Sequence, residues 1–190
     1  PSGALSAKEG KFYAVTNQGG WNNQGGIYEW DPAQDSIGIK IQMAGPTGAN
    51  PYGKLIENDG KYYGMTSGYG LGYYPSGAGG TIYEWDPASN IFTKLIYLRD
   101  VNCASPRGSL TVSGGKFYGM TYVGGVNTVG VIFEWDPALN IFITKVDLNA
   151  ASGGTPYGSM VLQDGKFYGM TYSGGANNVG VIFEWDPVTN

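Results

Sequence analysis

The sequence predicts an all-β fold: a β-propeller of four repeats of about fifty residues, each repeat a four-stranded antiparallel blade. Three observations predict it. The segment Gly165-Lys166-Phe167-Tyr168-Gly169-Met170-Thr171 and the later Val181-Ile182-Phe183-Glu184-Trp185-Asp186-Pro187 recur, with changes, at 115–121 with 131–137, at 60–66 with 81–87 and at 10–16 with 26–32. The composition, with 33 glycines and 14% aromatic residues, suits short strands joined by tight turns around large core side chains. No long stretch places apolar residues at helical spacing. The chain of 190 residues is thus expected to form a single repeat domain, 1–190, divided into repeats 1–50, 51–105, 106–155 and 156–190.

Each element follows from local chemistry. The first strand is expected just after a proline, over residues 1–5, 51–55, 106–110 and 156–160. Glu9-Gly10, Asp59-Gly60, Gly114-Gly115 and Asp164-Gly165 come next, and such pairs turn a two-residue hairpin because they accept positive φ. The second strand is the Lys-aromatic-Tyr segment. A glycine-rich loop leads to the third strand, Ile-aromatic-Glu-Trp. Asp-Pro-x-x-Asn at 86–90 and 136–140 is a turn, with Asp suited to its first position and Pro to its second. Fourth strands are expected over 36–43, 91–98 and 141–148. The second and third strands are apolar on both faces, as when neighbouring blades cover both sides. In the third strand, Val181, Phe183 and Trp185 share one face and Ile182 and Glu184 the other.

The spacing is regular where it concerns the frame. Trp30 to Met43, Trp85 to Leu98 and Trp135 to Leu148 are thirteen positions apart, and Pro51, Pro106 and Pro156 follow eight later. Thr16 to Glu29 and Thr121 to Glu134 also span thirteen, but Thr66 to Glu84 spans eighteen. The second repeat therefore carries a five-residue insertion, within 68–75. The last repeat lacks its fourth strand in this sequence. That predicts closure by further repeats of a larger propeller, by a second copy, or by a partner's strand on the open blade edge.

Charge and composition exclude several roles. The net charge is -4 and no Lys/Arg cluster occurs, so no nucleic-acid partner is expected and an anionic membrane surface is disfavoured. No apolar run is long enough for a transmembrane segment. Cys103 is the only cysteine, so no disulfide forms within the chain. Pro1 opens the sequence without Met or signal peptide, as in a processed or shortened form or part of a longer chain. No N-x-[ST] sequon occurs.

The residues Gly48-Ala49-Asn50-Pro51, Asp164-Gly165-Lys166-Phe167-Tyr168-Gly169-Met170-Thr171, Gly174-Gly175 and Gly180 with its apolar run form a pattern over the whole chain. It resembles the Gloeo-Verruco (GloVer) tandem-repeat family of bacterial cell-surface or secreted proteins. The strand layout is more distantly similar to kelch propellers, with their aromatic-Asp-Pro-x-Thr-Asn turn. In kelch repeats the glycines follow the second strand directly, whereas here they follow Thr and further residues, as in Tyr122-Val123-Gly124-Gly125. The resemblance implies a non-enzymatic repeat array, extracellular or at the cell surface, with no defined catalytic residue.

The side chains themselves support no catalytic site. There is no histidine, which removes the commonest general base, its nucleophile pairs and histidine metal sites. One cysteine and no histidine leave zinc without ligands, so neither a metal nor another cofactor is expected. Eight of the fifteen carboxylates are the Glu and Asp of the four Glu-Trp-Asp copies: Glu29, Glu84, Glu134 and Glu184 with Asp31, Asp86, Asp136 and Asp186. A group that every blade carries serves every blade. The aspartates close turns, and the glutamates are expected to meet Lys11, Lys61, Lys116 or Lys166 on the adjacent strand. A ring of glutamates holding an axial cation is the functional alternative. Trp30, Trp85, Trp135 and Trp185 read as core for the same reason, against a sugar-binding set.

Function is therefore expected where the repeats disagree. Antiparallel order places the loops after the second and fourth strands on one face of the disc. That face carries Trp21, Asn22, Asn23, Tyr69, Tyr73, Tyr74, Arg99 and Arg107 as candidate ligand-binding residues, with Leu71, Asp100 and Cys103 beside them. Exposed aromatics with amide neighbours suit carbohydrate stacking or a protein interface. The leading expectation is a non-catalytic structural or interaction module that associates with itself or with flanking repeats. The alternative is a glycan-binding propeller.

Overall fold

The computed structural model describes residues 3–68 and 79–189. Among these, the regular structure is antiparallel strand, with two short 3-10 turns at Gly45–Thr47 and Leu98–Val101. The first sheet holds β1 (Ser6–Lys8), β2 (Lys11–Thr16), β3 (Gly26–Asp31) and β4 (Ser36–Gln42) in sequence order. The second holds β5 (Ala49–Asn58), β6 (Lys61–Gly68), β7 (Thr81–Asp86) and β8 (Ile91–Tyr97), again in order. Between β9 (Cys103–Ala104) and β12 (Val123–Gly124) runs a two-stranded ribbon. The third sheet is β10 (Thr111–Ser113), β11 (Lys116–Thr121), β13 (Val131–Asp136) and β14 (Ile141–Asp147). In the fourth, β17 (Lys166–Ser173) pairs with β16 (Val161–Gln163) and β18 (Ile182–Trp185), and β15 (Gly154–Pro156) joins the C-terminal end of β17.

The turns form for the reasons their residues suggest. Asp59 and Gly60 have φ of 52° and 83°, and Asp164 and Gly165 have 50° and 79°, so both central residues of these hairpins are left-handed, as a type I′ turn requires. At the Asp-Pro turns, Asp86 Oδ1 accepts the amides of Ala88 at 2.8 Å and Ser89 at 3.4 Å, and Asp136 Oδ1 does the same for Ala138 and Leu139. The register then sets Tyr13, Tyr63, Tyr118 and Tyr168 opposite Glu29, Glu84, Glu134 and Glu184. One bulge recurs between the third and fourth strands, at Ile27/Tyr28, Ile82/Tyr83 and Ile132/Phe133.

The first strands differ from the sequence expectation. Three of them start after the proline segment, at Ser6, Thr111 and Val161; only β5 runs through it, and it is irregular between Tyr52 and Ile56. The glycine two residues after each proline position packs on its counterpart in the neighbouring sheet. Gly53 and Gly158 have φ of 79° and 131°, and β5 passes Gly53 only as an irregular strand. A Cβ on Gly3 would lie 2.0 Å from the Gly53 carbonyl oxygen, one on Gly53 2.5 Å from that of Gly108, and one on Gly108 1.8 Å from that of Gly158. These four segments meet backbone to backbone, one per sheet, and no larger residue fits at Gly3, Gly53 or Gly108.

The core lies between sheets. One cluster joins Tyr13, Val15 and Ile27 of the first sheet to Leu55, Tyr62, Tyr83 and Trp85 of the second. Another joins Tyr63, Met65 and Ile82 to Leu110, Phe117, Phe133 and Trp135. The last joins Tyr118, Met120 and Ile132 to Met160, Phe167 and Trp185. Each joint has one aromatic plan. A tyrosine of one sheet rests on the aromatic–tryptophan pair of the next: Tyr13 lies 5.3 Å from both Tyr62 and Trp85, Tyr63 lies 4.5 Å and 6.2 Å from Phe117 and Trp135, and Tyr118 lies 4.6 Å and 5.9 Å from Phe167 and Trp185.

Candidate functional site

The glycine contacts at the inner rim also position what flanks them. Ser109 Oγ accepts the Lys54 amide at 2.6 Å, and Ser159 Oγ accepts the Ser109 amide at 2.7 Å, so each repeat's serine holds the preceding repeat's backbone. Along this rim runs an open concavity of about 640 Å³, lined by glycine, serine and aliphatic side chains with Lys54 and Arg107. Arg107 and Tyr157 sit one residue before Gly108 and Gly158, and so stand side by side at the joint of the third and fourth sheets.

Two further tyrosines complete a cluster there. Tyr122 and Tyr172 each follow the threonine of their repeat motif. The Arg107 guanidinium lies over the Tyr122 ring at 4.0 Å and 5.1 Å from the Tyr157 ring centre, and the two rings meet at 90°. Arg107, Tyr122, Tyr157 and Tyr172 line one cavity of about 280 Å³. Tyr157 and Tyr172 are exposed, and Arg107 and Tyr122 half-buried. The first two repeats differ: Asn17 Nδ2 donates to Tyr52 Oη at 3.2 Å, which ties the equivalent pair together.

The repeated carboxylates are engaged in the scaffold. Lys61 Nζ donates to Glu84 Oε1 at 2.6 Å and Tyr63 Oη to Glu84 Oε2 at 2.7 Å. Lys116 and Tyr118 reach Glu134 at 2.6 and 3.0 Å, and Lys166 and Tyr168 reach Glu184 at 2.5 and 2.8 Å. Glu29 takes Lys11 at 3.1 Å, with Lys40 at 3.6 Å. Burial pushes the Glu134 carboxyl up, but hydrogen bonds from Lys116 and Tyr118 outweigh it and hold the group below its ordinary value. Burial, with the Glu134 bond, pushes the Tyr118 phenol up to about 12.

The remaining predicted residues are scattered. Trp21 is 91% exposed in the β2–β3 loop, its amide donating to Gln42 Oε1 at 2.8 Å. Asn22 and Asn23 are exposed beside it, and Asn23 Oδ1 accepts the Gly19 amide at 2.9 Å. Arg99 is exposed on the Leu98–Val101 turn. None of these four lines the cavity at Arg107. Tyr69, Tyr73 and Tyr74 lie outside the described residues. Of the repeated tryptophans, Trp85, Trp135 and Trp185 are buried, but Trp30 is 39% exposed, because no sheet covers the outer side of the first. Tyr122, Tyr157 and Tyr172 were not among the expected site residues. They could have been found by reading the variable positions directly beside the invariant proline and threonine.

Among the described residues, no helix is long and apolar enough to cross a membrane, and no three metal-ligating side chains come together. No curated protein matches the chain in sequence. Solved structures match it in fold. TolB from Acinetobacter baumannii superposes with a TM-score of 0.61 at 14% identity, over 95% of this chain and 39% of that one. The extracellular domain of BT4673 from B. thetaiotaomicron gives 0.60 at 10% identity, over 95% and 21%. The β-propeller domain of the Trilobed protease from Pyrococcus furiosus gives 0.52 at 13% identity, over 96% and 51%. The chain thus spans about half or less of the length of these structures, and the likeness establishes a propeller-like all-β fold. The Gly-Lys-aromatic-Tyr hairpin, the Glu-Trp-Asp turn and the inner-rim glycines recur through the whole length, the repeat model matches residues 1–190, and the chain belongs to the Gloeobacter/Verrucomicrobia repeat family.

Proposed function

We propose that the chain is a non-catalytic structural and interaction module, working outside the cell, that assembles through the aromatic faces of its terminal sheets. One observation carries this reading. The fourth sheet bares the face that its predecessors bury: Met120 is 4% exposed and Met170 58%, and Tyr168 and Ile182 are exposed where Tyr118 and Ile132 are buried. At the other end, Phe12 and Trp30 stack at 5.2 Å as the aromatic pair that elsewhere receives a tyrosine. The two bare faces are the two halves of the joint formed three times inside the chain. Membership of a repeat family suggests flanking repeats as occupants, and a second copy offers the same surface. Such a face buries more apolar area than the strand edge considered from sequence. The extracellular domain among the similar folds is compatible with a role outside the cell. The absence of histidine and the engagement of the repeated glutamates by lysine and tyrosine support the non-catalytic part.

Analytical ultracentrifugation of Trp30→Asp and Met170→Asp, alone and mixed, tests the assembly. Each variant alone should be monomeric, because each keeps one good half of the joint. A 1:1 mixture should form a heterodimer. A monomeric parent chain, or a mixture that stays monomeric, would sink association between copies.

A second reading, saccharide binding on the loop face, is favoured by the open Arg107–tyrosine cavity. Trp21, Asn22, Asn23 and Arg99 do not contribute to it.

A further inference from the structure

We infer that the cavity of Arg107, Tyr122, Tyr157 and Tyr172 binds an acidic sugar, a uronic-acid unit of an oligosaccharide, with Arg107 holding its carboxylate. The inference deepens the saccharide reading and rests on it.

The charge follows from Arg107. Among the described residues no carboxylate pairs with it, and none accepts a hydrogen bond from it. The scaffold lysines Lys61, Lys116 and Lys166, by contrast, each donate to a glutamate. A half-buried guanidinium without an acceptor has lost hydration and gained little in return. Its face is occupied by the Tyr122 ring at 4.0 Å, which leaves the N–H edge as the part that can donate. Paired N–H groups on a planar edge match a carboxylate in the two-bond geometry that arginine favours. The net charge of -4 disfavours anions at long range, but salt screens this within about 8 Å at physiological ionic strength. Recognition therefore depends on contact at Arg107.

The sugar follows from the walls. Tyr157 and Tyr172 are exposed aromatic walls for the apolar C–H side of a pyranose, and the hydroxyls of all three tyrosines bond to no other described residue. At about 280 Å³ the cavity lies just under the range typical of drug-sized ligands, which fits one ring. It is open, so the neighbouring units of an oligosaccharide can run out into solvent. The cluster is also specific to this joint. The equivalent positions of the first joint hold Asn17 and Tyr52, which satisfy each other at 3.2 Å.

Isothermal titration with trimers of galacturonate, mannuronate and glucuronate, and with their neutral methyl esters, tests the inference. At least one acid trimer should bind, with affinity falling as salt rises, and its ester should bind about tenfold more weakly. Arg107→Gln and Tyr157→Ala should each weaken binding about tenfold or more without lowering the melting temperature, while Trp21→Ala should leave it unchanged. Equal affinity for acid and ester, or for parent and Arg107→Gln, would overturn the acidic class while keeping the saccharide reading. Binding of none of these sugars would overturn both. Trialanine serves as the peptide probe, and its binding at Arg107 in place of the sugars would reassign the site to a peptide carboxylate.

Discussion

Trp30 and Trp85 hold the same place in successive repeats, yet Trp30 is 39% exposed and Trp85 is 0%. Trp85 is enclosed by Tyr13 from the first sheet and by Tyr62 of its own, with ring centres 5.3 and 5.7 Å away. Trp30 has Phe12 at 5.2 Å and solvent beyond. Two identical side chains therefore differ in energy because of what the neighbouring sheet supplies. Trp85→Ala should cost about 3–5 kcal/mol. Trp30→Ala should cost less than half as much in the isolated chain. Chemical denaturation of the two variants checks the difference; equal losses would mean that the Trp30 face is covered in solution.

Gly119 is held small by the strand opposite it. A Cβ there would lie 2.5 Å from Phe133 Cζ, and Gly64 and Gly169 meet Tyr83 and Phe183 in the same way. The tip of the aromatic ring sits over the glycine and fills the space a side chain would need. Gly119→Ala should therefore destabilise the fold by about 1–3 kcal/mol, as overpacking does. A melting temperature equal to that of the parent would show that Phe133 can move aside freely.

The carboxylate bonds predict how stability depends on pH. Hydrogen bonds from lysine and tyrosine hold Glu184 below the ordinary value of 4.5, and similar bonds, against burial, do so for Glu29 and Glu134. A lowered folded value means that the stabilisation is complete above the unfolded value and is lost as pH falls from there through the folded value. The hydrogen bond to Glu134 raises Lys116 above 10.5, so that group's contribution is present below 10.5 and is lost on further alkalinisation. The melting temperature should be level between these limits and fall below about 4.5. Glu134→Gln should cost about 1–3 kcal/mol at neutral pH and reduce the acid dependence. An unchanged acid limb in that variant would remove Glu134 from the account.

Cys103 is buried, and burial pushes its thiol up to about 11. The neutral thiol is a poor nucleophile. In native protein at neutral pH it should react with a thiol reagent such as dithionitrobenzoate only slowly, and at full rate after unfolding. Fast labelling of the folded chain would show that the β9–β12 ribbon opens.

The frame of this protein was legible in its residues. Asp59-Gly60 and Asp164-Gly165 specify hairpins whatever lies around them, because only residues that accept positive φ complete the turn. Asp86-Pro87 and its copies close turns with the aspartate's own carboxylate. The alternation in Ile-Phe-Glu-Trp sets which side chains share a face, because strands have a period of two. These are local effects, and the repeat displays each of them several times. The start of the first strand was not legible, because the displacement comes from Gly3, Gly53, Gly108 and Gly158 packing on one another across sheets. The Arg107–Tyr122–Tyr157–Tyr172 cluster was not legible as a unit either: the four residues span sixty-five positions in two repeats, and the joint of two sheets alone brings them together. Sequence by itself determined the repeat, its strands and turns, and the absence of histidine chemistry. The tertiary structure decided which tryptophan is bare, which face is free to pair and which tyrosines surround Arg107. Those outcomes depend on contacts between residues distant in the chain, and local sequence does not encode who the neighbour is.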